Sequence, residues 1–306
     1  MNAARHHHDT GPRTDEDADH DVDHHCGLGA DLARMLTRAA TRRQSLRWLF
    51  AGAGSAVLPL AGCGGVSADD GFGLSSSTTT TGAASTGSGS AVCSVIPEET
   101  GGPYPGDGTN RNANGVANAL VLSGIVRSDI RSSVAGASGV AAGVPLMIRL
   151  KIEHVAQGCA AAAGATVYLW HCTREGGYSM YSSGIVGENY LRGVQEADSE
   201  GYVTFTTIFP GCYDGRMPHV HFEVYPSLAK ATSAANRVKT SQFTFPLAIA
   251  NEAYASSGYA SSISTLARMC FALDNVFSDG TALQMASVTG TASQGYSATL
   301  TVGVNW

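Results

Sequence analysis

The chain has 306 residues, 43% of them hydrophobic and 14% charged, with 37 glycines and 10 prolines. That is apolar enough to build a packed core, which excludes a wholly disordered chain. With 19 Lys+Arg against 25 Asp+Glu the net charge is -6, which excludes a general nucleic-acid binder. No run of roughly 18 apolar residues offers a conventional membrane-spanning helix.

Residues 1–62 read as a leader. His6, His7, His8, His20, His24 and His25 sit among Asp9, Asp15, Asp17, Asp19, Asp21 and Asp23, with few apolar residues between them. A metal-scavenging segment is one reading; composition favours a disordered polar one. Arg42 and Arg43 then precede an apolar stretch from Trp48 to Leu60, which has the length of a signal-peptide core rather than of a span. The arginine pair followed by Ser45-Leu46 resembles a twin-arginine export signal. Leu60-Ala61-Gly62-Cys63 resembles a lipobox, in which Cys63 becomes the lipidated N-terminus. A buried helix that happens to follow two arginines is the alternative. Residues 63–92, dominated by Gly, Ser, Thr and Ala, cannot bury a core and are expected to act as a flexible tether with a reach of ~30 Å. The chain is therefore expected on the outer side of the cytoplasmic membrane, in a periplasm or at the cell surface, held by a lipid anchor at Cys63.

From Cys93 onward, short β-rich runs alternate with Gly, Pro and Asp punctuation. Strands are expected at Ala119–Val126, Pro145–Ile152, Thr166–His171, Tyr202–Ile208, Val220–Tyr225 and Ala298–Val302, with helical patterning at Ala248–Tyr254 and Ile263–Met269. The expectation for 93–306 is an all-β fold, a single β-sandwich domain with long loops. Five cysteines remain after Cys26 and Cys63: Cys93, Cys159, Cys172, Cys212 and Cys270. Export favours disulfides among them, but spacing does not say which pair.

The segment Arg216-Met-Pro-His219-Val-His221 has the sharpest chemistry. Residues two apart on a strand share a face, so His219 and His221 point together while Val220 and Phe222 face a core. Such a pair is either half of a metal site or two histidines on a solvent face. A glycine turn brings Tyr213 to the start of this segment, and another, Gly176-Gly177-Tyr178, follows the Thr166 strand. A phenol is a poor ligand at its ordinary pKa near 10, but a hard trivalent ion stabilises the phenolate.

Residues 93–302 resemble the intradiol ring-cleavage dioxygenases, a non-haem iron(III) family. The resemblance rests on ordered elements: Pro97-Glu-Glu-Thr-Gly-Gly-Pro-Tyr104, Gly164-Ala-Thr-Val-Tyr-Leu-Trp170, Gly176-Gly-Tyr178, Arg192-Gly193 and Asp198-Ser-Glu-Gly201. Phe205 through Tyr213 and Arg216 through His221 complete it. It implies one Fe(III) per chain held by Tyr178, Tyr213, His219 and His221, with Tyr213 and His219 axial. It further implies Arg216 as stabiliser of negative charge on the substrate, Gln242 near the substrate, and Tyr104 and Pro103 in the pocket wall. The implied reaction is intradiol cleavage of a catechol-type aromatic by O2 to a cis,cis-muconate-type diacid. Two departures stand out: the link between Tyr213 and His219 is very short, and there is no N-terminal helical segment of the kind that dimerises catechol 1,2-dioxygenases. Substrate identity and oligomeric state are therefore left open. The alternative is a non-catalytic exported lipoprotein binding aromatics, carbohydrate or a partner. A zinc hydrolase built on the histidine pair lacks a carboxylate ligand near His219.

Overall fold

Strand β3 (Pro145–His154) alternates strictly in its first six residues: Leu146, Ile148 and Leu150 are buried while Pro145, Met147 and Arg149 are exposed. That is the signature of a sheet with one face on a core and one in water. The computed structural model describes residues 93–306. The leader, the Arg42–Arg43 pair, Cys63 and the 63–92 tether lie outside the described residues.

In chain order the strands are β1 (Asp107–Asn112), β2 (Gly115–Asn118), β3, β4 (Ala160–Ala161), β5 (Thr166–Trp170), β6 (Arg192–Glu196), β7 (Tyr202–Ile208), β8 (His219–Tyr225), β9 (Lys239–Thr244), β10 (Ser287–Thr291) and β11 (Gly295–Val304). Two α-helices are present among the described residues, α1 (Leu247–Tyr254) and α2 (Ala260–Leu266). One sheet runs β10–β11–β3, with β7 and then β4 along the other edge of β3. Its β11–β3 pair is parallel, in register from Tyr296↔Leu146 to Val304↔His154. The second sheet is antiparallel throughout, in the order β6–β5–β8–β9. β1 and β2 form a separate hairpin.

Leu146, Ile148 and Leu150 of β3 and Val203 and Phe205 of β7 share one hydrophobic cluster with Val167 and Leu169 of β5, Val220, Phe222 and Val224 of β8, and Phe243 of β9. Side chains of both sheets meeting in one core make this a β-sandwich, as the sequence led us to expect. On the second sheet, the residues between these point the other way. Trp170 and Tyr168 of β5 and Tyr225 of β8 enter a second cluster with Tyr178, Met180, Leu120 and Ile125. The second sheet is thus buried on both faces, one by the partner sheet and one by long loops. Every residue of β5 and β8 is consequently buried.

One expected strand is absent. Ala119–Val126 is a succession of turns, with Leu122 N bonded to Ala119 O, Ile125 N to Leu122 O, and Gly124 at φ +83°. Ala119, Leu120 and Ile125 fill the loop-side core while Val121 and Val126 are exposed, so the apolar run does not extend a ladder. Only Val126 touches sheet pairing, through a single parallel bridge to Val194. The cysteine question is resolved for one pair: Cys93 is bridged to Cys159, while Cys172 and Cys212 are buried free thiols and Cys270 is free and half-buried.

Candidate functional site

β8 brings His219 and His221 to the loop-side face of the second sheet, with their Nε2 atoms 3.1 Å apart. His219 Nδ1 donates to the Met217 carbonyl at 2.7 Å, so its Nε2 has the free lone pair. Tyr213 Oη lies 3.2 Å and Tyr178 Oη 3.4 Å from that Nε2, and Arg216 Nη1 lies 3.3 Å away. All four side chains expected to share a metal therefore converge on one point, with Arg216 beside them.

The local sequence explains how each arrives. The His221 ring lies flat on its cross-strand neighbour Trp170, centroids 4.9 Å apart and planes 3° from parallel. Gly102, at φ +67°, approaches the Cε1–Nε2 edge of the ring: a Cβ there would lie 3.2 Å from His221 Cε1 and 3.7 Å from Nε2. The His221 Nδ1 has no hydrogen-bond partner. The two tyrosine turns pack on each other at Gly176: at φ +90°, a Cβ there would meet Cys212 O at 3.1 Å and Tyr213 Cβ at 3.2 Å. Ser262 of α2 clamps the same pair of turns, accepting from Cys212 N at 2.9 Å and donating to Arg174 O at 2.7 Å. Cys172 and Cys212 brace them too, their thiols donating to Gly211 O and Arg216 O.

Burial sets the protonation states. It pushes His219 and His221 well below the ordinary imidazole range, helped for His219 by Arg216 and for His221 by His219, so both are neutral. The same loss of hydration pushes Tyr178 well above the ordinary phenol range and Tyr213 up to about 12. Two neutral imidazoles and two phenols that ionise only beside a cation are the donor set a hard, highly charged ion selects. The spacing fits as well: donors about 2.1 Å from a common ion stand roughly 3.0–3.4 Å apart. Among the described residues, the one group of three His, Cys, Asp or Glu donors close enough for an ion is Cys93, Glu153 and Cys159. Two of its members are the disulfide.

The remaining expected residues fall into place differently. The half-buried Tyr104 ring packs 5.0 Å from Tyr178 and 5.2 Å from Tyr181, whereas Pro103 beside it is exposed. Gln242 is fully buried; its Oε1 accepts from Arg216 Nη2 at 2.6 Å and its Nε2 donates to Thr100 O at 2.7 Å. It stands behind Arg216 rather than in the open part of the site. Three residues were missed by sequence reasoning. Asp274 bonds Arg216 Nε at 3.0 Å, Trp170 supports His221, and Arg192 is fully buried beneath Tyr104. Trp170 and Arg192 stand in quoted motifs, so a signal existed; Asp274 had none.

A family model described as Dioxygenase matches residues 131–232, which include Tyr178, Tyr213, Arg216, His219 and His221. Among solved structures, the intradiol ring-cleavage dioxygenase from Tetranychus urticae is 25% identical, aligned over 70% of this chain and 95% of its own, with a TM-score of 0.53. A further dioxygenase crystal structure is 24% identical over the same shares, with a TM-score of 0.54. The dioxygenase domain of a carbohydrate-binding fusion from Streptomyces sp. SirexAA-E aligns over 69% of this chain and 99% of its own, at 21% identity and a TM-score of 0.43. No curated protein matches the chain. On the family match and the shared sandwich, the folded domain of this chain is similar to the intradiol ring-cleavage dioxygenases.

Proposed function

We propose that this protein is an Fe(III)-dependent dioxygenase that cleaves a catechol-type aromatic between its two oxygens, using O2 and giving a cis,cis-muconate-type diacid. The observation that supports this reading is the convergence of Tyr178, Tyr213 and His221 within 3.4 Å of His219 Nε2, with an arginine at the same distance. Those four side chains would hold one ferric ion per chain. Bound there, the ion would take a catechol through both oxygens and make its ring reactive toward O2.

The other contributions come from the chain itself. Tyr213 is the most exposed of the four donors, and its Oη is the site that accepts a proton from an incoming catechol hydroxyl. Tyr104, packed at a tilt against Tyr178 and Tyr181, offers an aromatic wall for the substrate ring. Arg216 Nη1 faces the donor cluster and stabilises negative charge as it develops, a contribution worth about 3 kcal/mol for a well-aimed donor. Gln242 holds Arg216 from behind.

We further propose that residues 1–62 direct export, that 63–92 tether the 93–306 domain, and that Cys63 bears the lipid anchor. The Cys93–Cys159 disulfide suits the oxidising compartment this implies. The decisive test is to purify the protein, count its iron, record its visible spectrum, and match oxygen uptake with catechol to product. About one iron per chain, tyrosinate-to-iron absorption and a muconate-type product support the reading. Stoichiometric zinc without visible absorption, or a yellow 2-hydroxymuconic semialdehyde, would overturn it. Iron-loaded protein that shifts its spectrum with catechol yet takes up no oxygen would make it a binding protein.

A further inference from the structure

Asp274 lies 58 positions beyond Arg216, in the segment between the short 3-10 turns Phe271–Leu273 and Phe277–Asp279, and is fully buried. Its two oxygens do different jobs. Oδ1 accepts from the Val276 and Phe277 amides at 2.8 and 3.2 Å, capping the turn that follows. Oδ2 accepts from the Met217 amide at 2.7 Å and from Arg216 Nε at 3.0 Å, with Oδ1 also 3.1 Å from Nε. A carboxylate taken wholly out of water needs its lone pairs filled, and here a cation and three amides fill them.

The consequence is felt at Arg216. Asp274 holds Nε, Gln242 Oε1 holds Nη2, and the Phe277 ring lies 5.7 Å from the guanidinium carbon. With those directions fixed, Nη1 is the edge left facing His219 Nε2. Asp274 also fixes the backbone of the short link. The Met217 amide it binds belongs to the residue whose carbonyl orients His219. In the five-residue link between Tyr213 and His219, Asp214 and Gly215 are exposed and Gly215 is at φ +81°, while Cys212 Sγ and Thr244 Oγ1 donate to the Arg216 and Pro218 carbonyls and Met217 packs in the core. The distant carboxylate adds the hold on the Met217 amide, in the middle of the link.

We propose that Asp274 is the positioning residue of the site, setting the direction of Arg216 Nη1 and the path of the Tyr213–His219 link. This rests on the dioxygenase reading above. A guanidinium misplaced by about 1 Å costs roughly 10- to 100-fold in rate.

The test uses the full-length iron protein and the variants Asp274→Asn, Arg216→Ala and their double. Asparagine can satisfy the capping amides or the Arg216–Met217 pair, but not both. Asp274→Asn is expected to keep its iron, because all four donors remain, with at most a small shift of the resting visible band through the Met217 carbonyl that orients His219. Its kcat should fall about 10- to 100-fold with KM changed less than about threefold, and the double variant should be no slower than Arg216→Ala. Amide exchange at Met217, read by mass spectrometry, should quicken at least about tenfold. Additive losses in the double variant, or an unchanged kcat, would overturn the proposal. If Asp274→Asn does not fold, Arg216→Lys is the substitute: it retains a cation but has no Nε–H to give, and full kcat there overturns the proposal equally. Should the wild-type protein take up no oxygen with any catechol, the dioxygenase reading falls. Unchanged Met217 exchange in Asp274→Asn would then overturn the positioning role, and faster exchange would support it.

Discussion

Gly102→Ala should disturb the proposed metal centre without removing any of its donors. Gly102 sits at φ +67°, in the left-handed region, and an added methyl would lie 3.2 Å from His221 Cε1 and 3.7 Å from Nε2. The imidazole is not free to tilt away, because the Trp170 ring is stacked flat on one of its faces. Ordinary carbon contacts begin near 3.5 Å, so His221 or the Gly102 backbone must give by about 0.3 Å. That exceeds the roughly 0.2 Å tolerance of a metal–ligand distance, so affinity should fall on the order of tenfold. The backbone strain alone costs about 1–2 kcal/mol and can be measured separately. Gly158 has nearly the same dihedral, φ +69°, with nothing within 4 Å of its notional Cβ. Gly158→Ala therefore reports strain without contact. Both variants should melt roughly 2–8 °C lower, by calorimetry. Only Gly102→Ala should also bind iron more weakly and shift the visible band. Equal iron affinity in the two variants would refute the claim that Gly102 exists to admit His221.

Tyr213→Phe should hold iron less tightly and lose most catechol-dependent oxygen uptake, since both a donor and a proton acceptor are gone; metal analysis and an oxygen electrode decide it. Burial holds His171 down to about 4 from 6.5, so below pH 6.5 the unfolded chain takes up a proton that the folded one refuses. Stability should therefore drop by up to about 3 kcal/mol between pH 6.5 and 4, and His171→Asn should make the melting temperature less steep in that window. Arg192→Lys replaces five donors by three and leaves at least two buried acceptors bare, a loss of roughly 2–6 kcal/mol in urea unfolding; under about 1 kcal/mol would refute the accounting. Cys63→Ser should release the protein from the membrane fraction still folded, and persisting lipid label would show the lipobox reading to be wrong.

The legible parts of the fold were those set by short-range rules. Strands β3, β5, β7 and β8 were readable within a few residues because alternation and β-branched content are local. The shared direction of His219 and His221 followed from the period of two, and the structure puts both Nε2 atoms at one point. β9, which presents Gln242, and the β1–β2 hairpin escaped notice because their residues are polar and their partners distant. Ala119–Val126 misled for the opposite reason, being apolar without being paired. Joining Tyr178 to the histidine pair needed the family resemblance, since 41 positions separate Tyr178 from His219. Asp274 was beyond reach: an aspartate in an irregular segment becomes the partner of Arg216 only when the chain has folded.

Two buried arginines near the site differ in a way that assigns their roles. Arg192 gives Nε to Ser179 Oγ, Nη1 to Pro105 O and Tyr168 Oη, and Nη2 to Tyr104 O and Ser179 O. Those are all five of its donors, and every acceptor is protein. It has nothing left to offer a ligand, so its work is to bind the Tyr104 wall to the Tyr178 turn. Arg216 is held at Nε and Nη2 by Asp274 and Gln242, while Nη1 is directed at the donor cluster. Both are buried cations; what separates a strut from the proposed reacting-site cation is the donor left uncommitted. The arrangement also explains how the link between Tyr213 and His219 can be so short. Its job of presenting a guanidinium is shared with a carboxylate from the far end of the domain and an amide from β9, so the loop itself needs no length.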